Sequence, residues 1–460
     1  MIKLKIDFLE ERGILILEYN YLLSLCAILL STKIFSLLSR RAQLPQVVGA
    51  LMAGLLFGPA VLGALTLKFF GTQFCIMPST FLSRLAELGV IIIMFTAGMG
   101  TNVSDLKASG KVGFIVALTG VLVPLGMGAG LMYLFEPSAA AVQALFLGAV
   151  LTATSVSITV ETLKELGKLT TKVGNAILAA ALIDDLLGLI CLTIIAGLAG
   201  ESVHMGLLMA KILGFFVFVV LVGMAFHGFM TWSDRREGER NLQRYPVFGF
   251  ALCLFMAWSA EAFFGVADIT GAFAAGMIIA LSPKGQYIAS KFGTISYLLL
   301  TPVFFANIGL EVTLPSMSAT MLIFTVALVL VSVVSKLVGC GLGAKLCGFT
   351  NRQSYQVGFG MVCRGEVALI VANKGVAMNM IATEYVGPII IMIIICSIVT
   401  PILLKAAFRG KDDEATDLTL SHRLERADQV DTVTHDLLRN EHQGKIPVLS
   451  WKEEASRPGK

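Results

Sequence analysis

In the stretch ALIDDLLGLI, residues 181–190, two adjacent carboxylates, Asp184 and Asp185, stand in a run that is otherwise apolar. A charge at the middle of a membrane-spanning helix costs about 2.5–3.5 kcal/mol on insertion scales. Neighbouring helix positions point about 100° apart, so the two acids need separate partners. Lys336, inside LVSVVSKLVGCGL, is the clearest candidate. Its alternative is to run its stem toward the interface, two turns or so from Lys345, and keep its ammonium wet. If it meets Asp184 instead, one charge is neutralised and Asp185 is left to bind something else.

Burial penalises charge on a carboxylate and an ammonium alike, so both groups can exchange protons near neutral pH. A carboxylate also takes a small hard cation, which seeks oxygen ligands. Thr152, Thr154, Ser155 and Ser157, in LTATSVSITVETL, are candidate co-ligands together with carbonyls freed by a break in their helix. A site that accepts protons or a cation, never both, is an exchanger, with competition as its mechanism. Arg364 and Glu366, in VCRGEVAL, are two apart and do not face each other on an intact helix. They read as structural charges that neutralise half-helix ends, with a direct part in ion binding as the alternative. Glu87 reads as a packing or access residue, and Glu161 as a solvated one.

These groups need a membrane scaffold, and the composition supplies it. The chain of 460 residues is 56% hydrophobic and only 14% charged, with a mean hydropathy of +0.82. A soluble domain carries nearer a quarter charged residues, so this is an all-α polytopic membrane protein. The net charge of +4 is too small to argue for nucleic acid. The eight cysteines are scattered through apolar runs without metal-like spacing and read as packing residues. The first twelve residues show no removable signal peptide. No nucleophile–base pair or phosphate loop appears, so the chain is not expected to be an enzyme, and it calls for no cofactor.

At about 20 residues per crossing there are about thirteen spans: 20–38, 44–62, 82–99, 112–134, 142–163, 173–199, 205–230, 246–264, 268–282, 294–310, 318–344, 354–373 and 384–407. Basic residues follow the odd-numbered ones: Arg40 and Arg41, Lys107 and Lys111, Lys164, Lys168 and Lys172, then Lys284 and Lys291, Lys345 and Arg352, Lys405 and Arg409. By the positive-inside rule the N-terminus faces out and the C-terminus faces the cytoplasm. Six spans, a single helix and six more form two halves of inverted topology, a pattern of secondary transporters. The fifth span of each half, at 151–163 and 358–375, is polar and glycine-rich, as broken helices are. Residues 408–460 form a short charged cytoplasmic tail, in which Leu420, Leu424, Ala427, Val430 and Leu437 allow one amphipathic helix.

From about residue 40 to 407 the chain resembles the monovalent cation:proton antiporters of the NapA-like branch. The resemblance rests on LPQVVGALMAGLLFGP, LAELGVIIIMFTAGM, LTATSVSITVETLKELGKL, ALIDDLLGLI, ITGAFAAGMIIA, PVFFANIGLEVTL, SKLVGCGLGAK and RGEVALIVANKG in this order. It implies the Na⁺/H⁺ antiporter fold, with two crossed discontinuous helices in a moving core at about 111–200 and 318–407. A dimer-forming panel would lie at about 20–99 and 245–310, with a linker helix at 204–230. It further implies that Asp185 carries the cation or the proton, that Asp184 pairs with Lys336, and that Thr152, Thr154 and Ser155 help to ligate the ion. The partners would be Na⁺ (or Li⁺ or K⁺), H⁺, the lipid bilayer of a bacterial inner membrane, and a second copy. Two acids in succession imply electrogenic exchange. The alternative is a K⁺/H⁺ antiporter or K⁺-efflux system of Kef type lacking the nucleotide-binding domain. Two positions depart from the family pattern: Cys363 stands where Pro often precedes the RGE motif, and Gly98-Met99-Gly100 stands where Gly-Leu-Glu is common. The first puts the form of the second helix break in question.

Overall fold

Apolar runs of this length satisfy every backbone group internally only as helices, and the described chain is almost wholly helical. The computed structural model describes residues 2–65, 75–198, 204–237, 244–282, 284–312, 318–378 and 380–409, without the side chains of 2–20, 233–237 and 366. The tail helix expected at 420–437 lies outside the described residues, as does the side chain of Glu366.

In chain order the α-helices are α1 (Ile2–Arg41), α2 (Gln46–Phe57), α3 (Thr80–Gly100), the short α4 (Val103–Ala108), α5 (Gly110–Phe135), α6 (Ala141–Thr152), α7 (Val156–Glu165), α8 (Lys172–Leu198) and α9 (Met205–Glu237). They continue with α10 (Arg244–Ala262), α11 (Asp268–Ala280), α12 (Gly285–Ile295), α13 (Thr301–Leu310), α14 (Ala319–Leu346), α15 (Asn351–Gly360), α16 (Glu366–Ala377) and α17 (Val386–Ala407). Side-chain caps fix several starts. Ser79 accepts from the Leu82 N–H and Ser318 from the Met321 N–H. Thr350 and Gln353 form a reciprocal capping box that opens α15.

Each expected span falls on a helix or a pair of helices. Eleven segments among the described residues are long and apolar enough to cross a membrane, and Asp268–Ala280 and Val367–Ala377 are shorter apolar helices. The span expected to begin at 294 begins at Gly285 instead, because α12 runs through a π turn at Ser296–Leu300 into α13. Its first turns, GQYIASK, are polar enough to hide from a hydropathy window. On α9, Leu213, Val217, Val220, Leu221 and Met224 are all more than half exposed. An apolar surface of that extent suits lipid rather than water.

The two halves of the chain pack as an inverted repeat. Helix α3 lies against α11 so closely that a Cβ on Gly98 would stand 2.2 Å from the Phe273 carbonyl, and one on Gly276 2.2 Å from that of Phe95. Exchanging the halves turns this pair into α13 against α2. That contact is made in the same way, through Gly54 (2.0 Å from the Ala306 carbonyl) and Gly309 (2.4 Å from Leu55 N). Small residues at these points let the backbones touch. In the other set of helices α5 packs on α14, its counterpart, and α8 and α17 flank them.

Between these flanking helices lie two interrupted ones. Helix α6 stops at Thr152 and α7 resumes at Val156; α15 stops at Gly360 and α16 resumes at Glu366. The second break forms without a proline, Cys363 lying inside it. The breaks cross: the Ser155 N–H donates to the Cys363 carbonyl at 2.9 Å. Gly365 permits the approach, since a Cβ there would meet Ser155 Oγ at 2.6 Å.

Candidate functional site

Four half-helix ends meet at the crossing, bringing partial positive charge from the starts of α7 and α16 and partial negative charge from the ends of α6 and α15. Arg364, fully buried, lies in the second break. Its Nη1 donates to the Ala153 carbonyl at 2.8 Å, at the open end of α6, and its Nε to Ser332 Oγ at 3.1 Å. The Arg364 carbonyl in turn accepts from Ser397 Oγ at 2.6 Å. On the other side of the crossing, Thr159 Oγ1 donates to the Gly360 carbonyl at 2.8 Å, at the end of α15. One carbonyl at the end of each stopped half-helix thus finds a side-chain donor.

Asp184 and Lys336 meet from α8 and α14. The Lys336 ammonium donates to both carboxylate oxygens of Asp184, at 2.8 and 3.0 Å, and Thr154 Oγ1 donates to Asp184 Oδ2 at 2.7 Å. Neither side chain is more than 1% exposed. Lys336 therefore points into the protein, not toward the interface. Close packing leaves little slack, because a Cβ on Gly120 of α5 would stand 2.5 Å from Cys340 Sγ and 3.6 Å from the ammonium. Asp185, one residue on, is only partly buried.

The hydroxyls singled out in the sequence divide. Thr154 reaches Asp184. Thr152 Oγ1 instead donates to its own helix, at the Ala149 carbonyl, and the Ser155 hydroxyl shares a hydrogen bond with that of Ser157 at 3.3 Å. Glu366 opens α16, with only its backbone described. Glu161 pairs loosely with Lys164 at 3.6 Å, and Glu87 pairs with Arg84 on an exposed face of α3. Ser332, Ser397 and Thr159 were missed by sequence reasoning. A lone hydroxyl in a run such as LVLVSVVSKL satisfies its own helix so readily that its type carries no signal.

Two adjacent acids thus lie beside the crossing of two broken helices, and similarity shows which family carries the arrangement. The transmembrane sodium/hydrogen exchanger family matches residues 26–410. This chain belongs to that family. It is a multi-pass membrane protein of a family of secondary transporters, not an enzyme. Among related proteins, the Na(+)/H(+)-K(+) antiporter GerN of Bacillus cereus is 36% identical over 401 residues, covering 86% of this chain and 98% of that one. A Na(+)/H(+) antiporter of Enterococcus hirae is 33% identical, covering 83% and 96%. The high-affinity Na(+)/H(+) antiporter NhaS3 of Synechocystis is 31% identical, covering 86% and 92%. In fold, the exchanger is similar to the sodium proton antiporter MjNhaP1 of Methanocaldococcus jannaschii, with a TM-score of 0.60 at 17% identity over 86% of this chain and 99% of that one.

Proposed function

We propose that this exchanger swaps a monovalent cation, Na⁺ first, for protons across a bilayer, with Asp185 as the shared carrier. One observation carries the reading. Asp184 is closed off by Lys336 and Thr154 at the crossing, while Asp185 beside it keeps part of its surface accessible. A carboxylate in that position holds either a proton or a cation, so loading one expels the other. Thr152, Thr154, Ser155 and carbonyls of the break supply further oxygens to the cation.

The two acids and the lysine support an electrogenic cycle, two protons against one cation. A membrane potential would bias such a cycle by about 2.3 kcal/mol per net charge per 100 mV. The site reaches the two sides alternately as the core helices at about 111–200 and 318–407 move against the panel at about 20–99 and 245–310, with α9 as the linker. Two copies join through the panel. The lysine- and arginine-rich ends face the cytoplasm of a bacterial cell, and the N-terminus lies outside. K⁺ is the second candidate cation, because GerN is named for K⁺ as well as Na⁺.

The test is a pH gradient in acidified vesicles, challenged with Na⁺, Li⁺ or K⁺, for wild type beside Asp185→Asn. Collapse by one cation in the wild type alone supports the carrier assignment and names the ion. Exchange retained in Asp185→Asn removes Asp185 as carrier, and a wild type inert to all three cations refutes the antiport reading.

A further inference from the structure

We propose that Glu165 is a positioning residue for alternating access: it latches α7 to α2 and holds the exchanger closed on its lysine- and arginine-rich side. The inference rests on the antiport reading above. Glu165 is the last residue of α7, and both of its carboxylate oxygens accept from the backbone N–H of Gln46, at 2.9 and 2.8 Å. Gln46 is the first residue of α2, and Pro45 before it offers no side-chain cap. The start of a helix is partly positive and its first N–H groups lack partners. A carboxylate 119 residues away in the chain takes that role here. Lys405 of α17 attracts it and Glu161 of α7 repels it.

A latch needs a state to hold, and the inverted repeat reveals one. Helices α7 and α16 are counterparts, yet they are packed differently. Helix α7 lies against α2 and α3 as well as α8 and α17, and every residue from 156 to 163 except Glu161 is buried. Helix α16 packs on α6 and α17, and its Ile370 is 63% exposed. Helix α8 divides the same way about the two acids. Residues 173–181, toward Glu165, are all buried; residues 185–193 are all partly exposed. The path past Asp185 is thus sealed at the Glu165 end and looser at the other. In the opposite state the two half-helices trade environments, so α7 must leave α2 and α3 and the Glu165–Gln46 contact must break. Glu165 therefore weights the equilibrium between the two states without touching the ion.

Losing a hydrogen bond to a charged group shifts such an equilibrium by roughly tenfold. The experiment is amide hydrogen exchange of the full chain in vesicles, for wild type, Glu165→Ala and Glu165→Gln, with the Na⁺ half-saturation constant measured from each face. Expected for Glu165→Ala is roughly tenfold faster exchange in residues 44–51 and 156–165, no faster exchange in 366–377, and tighter apparent Na⁺ binding from the Glu165 face only. Glu165→Gln keeps one acceptor oxygen and should fall between. Unchanged local exchange in both variants, or both faces shifting together, overturns the latch. Should Glu165→Ala misfold and exchange everywhere, Glu165→Gln decides alone by the same criteria. The expected exchange differences in the variants, with a wild type that moves no cation, would refute the antiport reading separately.

Discussion

Replacing Lys336 by Met isolates what the buried ion pair contributes. The ammonium holds both oxygens of Asp184, at 2.8 and 3.0 Å, in a place where neither side chain meets solvent. Without it, Asp184 keeps only the hydrogen bond from Thr154 among those described, at 2.7 Å. Removing one partner of a buried pair costs about 3–5 kcal/mol, since the other charge is left uncompensated. Lys336→Met should therefore cost about 3 kcal/mol or more. Asp184→Asn strands the ammonium instead and should cost a similar amount. The double variant buries no charge at all, so its loss should be far smaller than the sum, with a coupling of about 3 kcal/mol or more. Reversible unfolding in mixed micelles, titrated with a denaturing detergent, measures all four proteins. If the double variant loses the sum of the single losses to within about 0.5 kcal/mol, the pair is not coupled and the reasoning fails.

Further outcomes follow from the same packing. Arg364→Met should sharply lower the yield of folded protein, because Ala153 and Ser332 lose a donor buried at the crossing, and Arg364→Lys should restore part of it; equal yields for both would show that charge and fork geometry are irrelevant there. Thr154→Val should destabilise by about 1–3 kcal/mol by leaving Asp184 short of a donor, and should weaken cation binding, read as a raised half-saturation constant. Gly98→Ala drives a Cβ into the Phe273 carbonyl and should cost about 1–3 kcal/mol, whereas Gly110→Ala, with nothing within 4 Å, should melt like the wild type. Truncation after Gly410 should leave cation-driven proton release intact, and lost transport would place part of the exchange machinery in the tail.

The sequence by itself determined the membrane class, the order of the helices and the two polar spans that would break. These are local matters. An apolar run of crossing length has only one way to satisfy its backbone in lipid, and the hydroxyl residues of TATS and the glycine of RGE weaken a helix interior. Asp184–Asp185 was legible as a site because charge at that depth is too costly to be incidental. That Lys336 meets Asp184 was implied by the resemblance; the residues alone left open whether Lys336 turns inward, which rests on α5 approaching α14 closely at Gly120, where the pair is shut from water. The start of α12 was hidden from hydropathy because Gln286, Ser290 and Lys291 dilute its apolar residues, of which Ile288 and Phe292 are buried. Tertiary structure alone decided that Thr154 serves Asp184 while Thr152 and Ser155 bond elsewhere, since the break sets the direction of each hydroxyl. It alone brought Glu165 to the start of α2, because a carboxylate that ends one helix shows no sign of capping another 119 residues away. Solvation cost is written in residue types; pairing is written in distances, and those exist only once the helices have crossed.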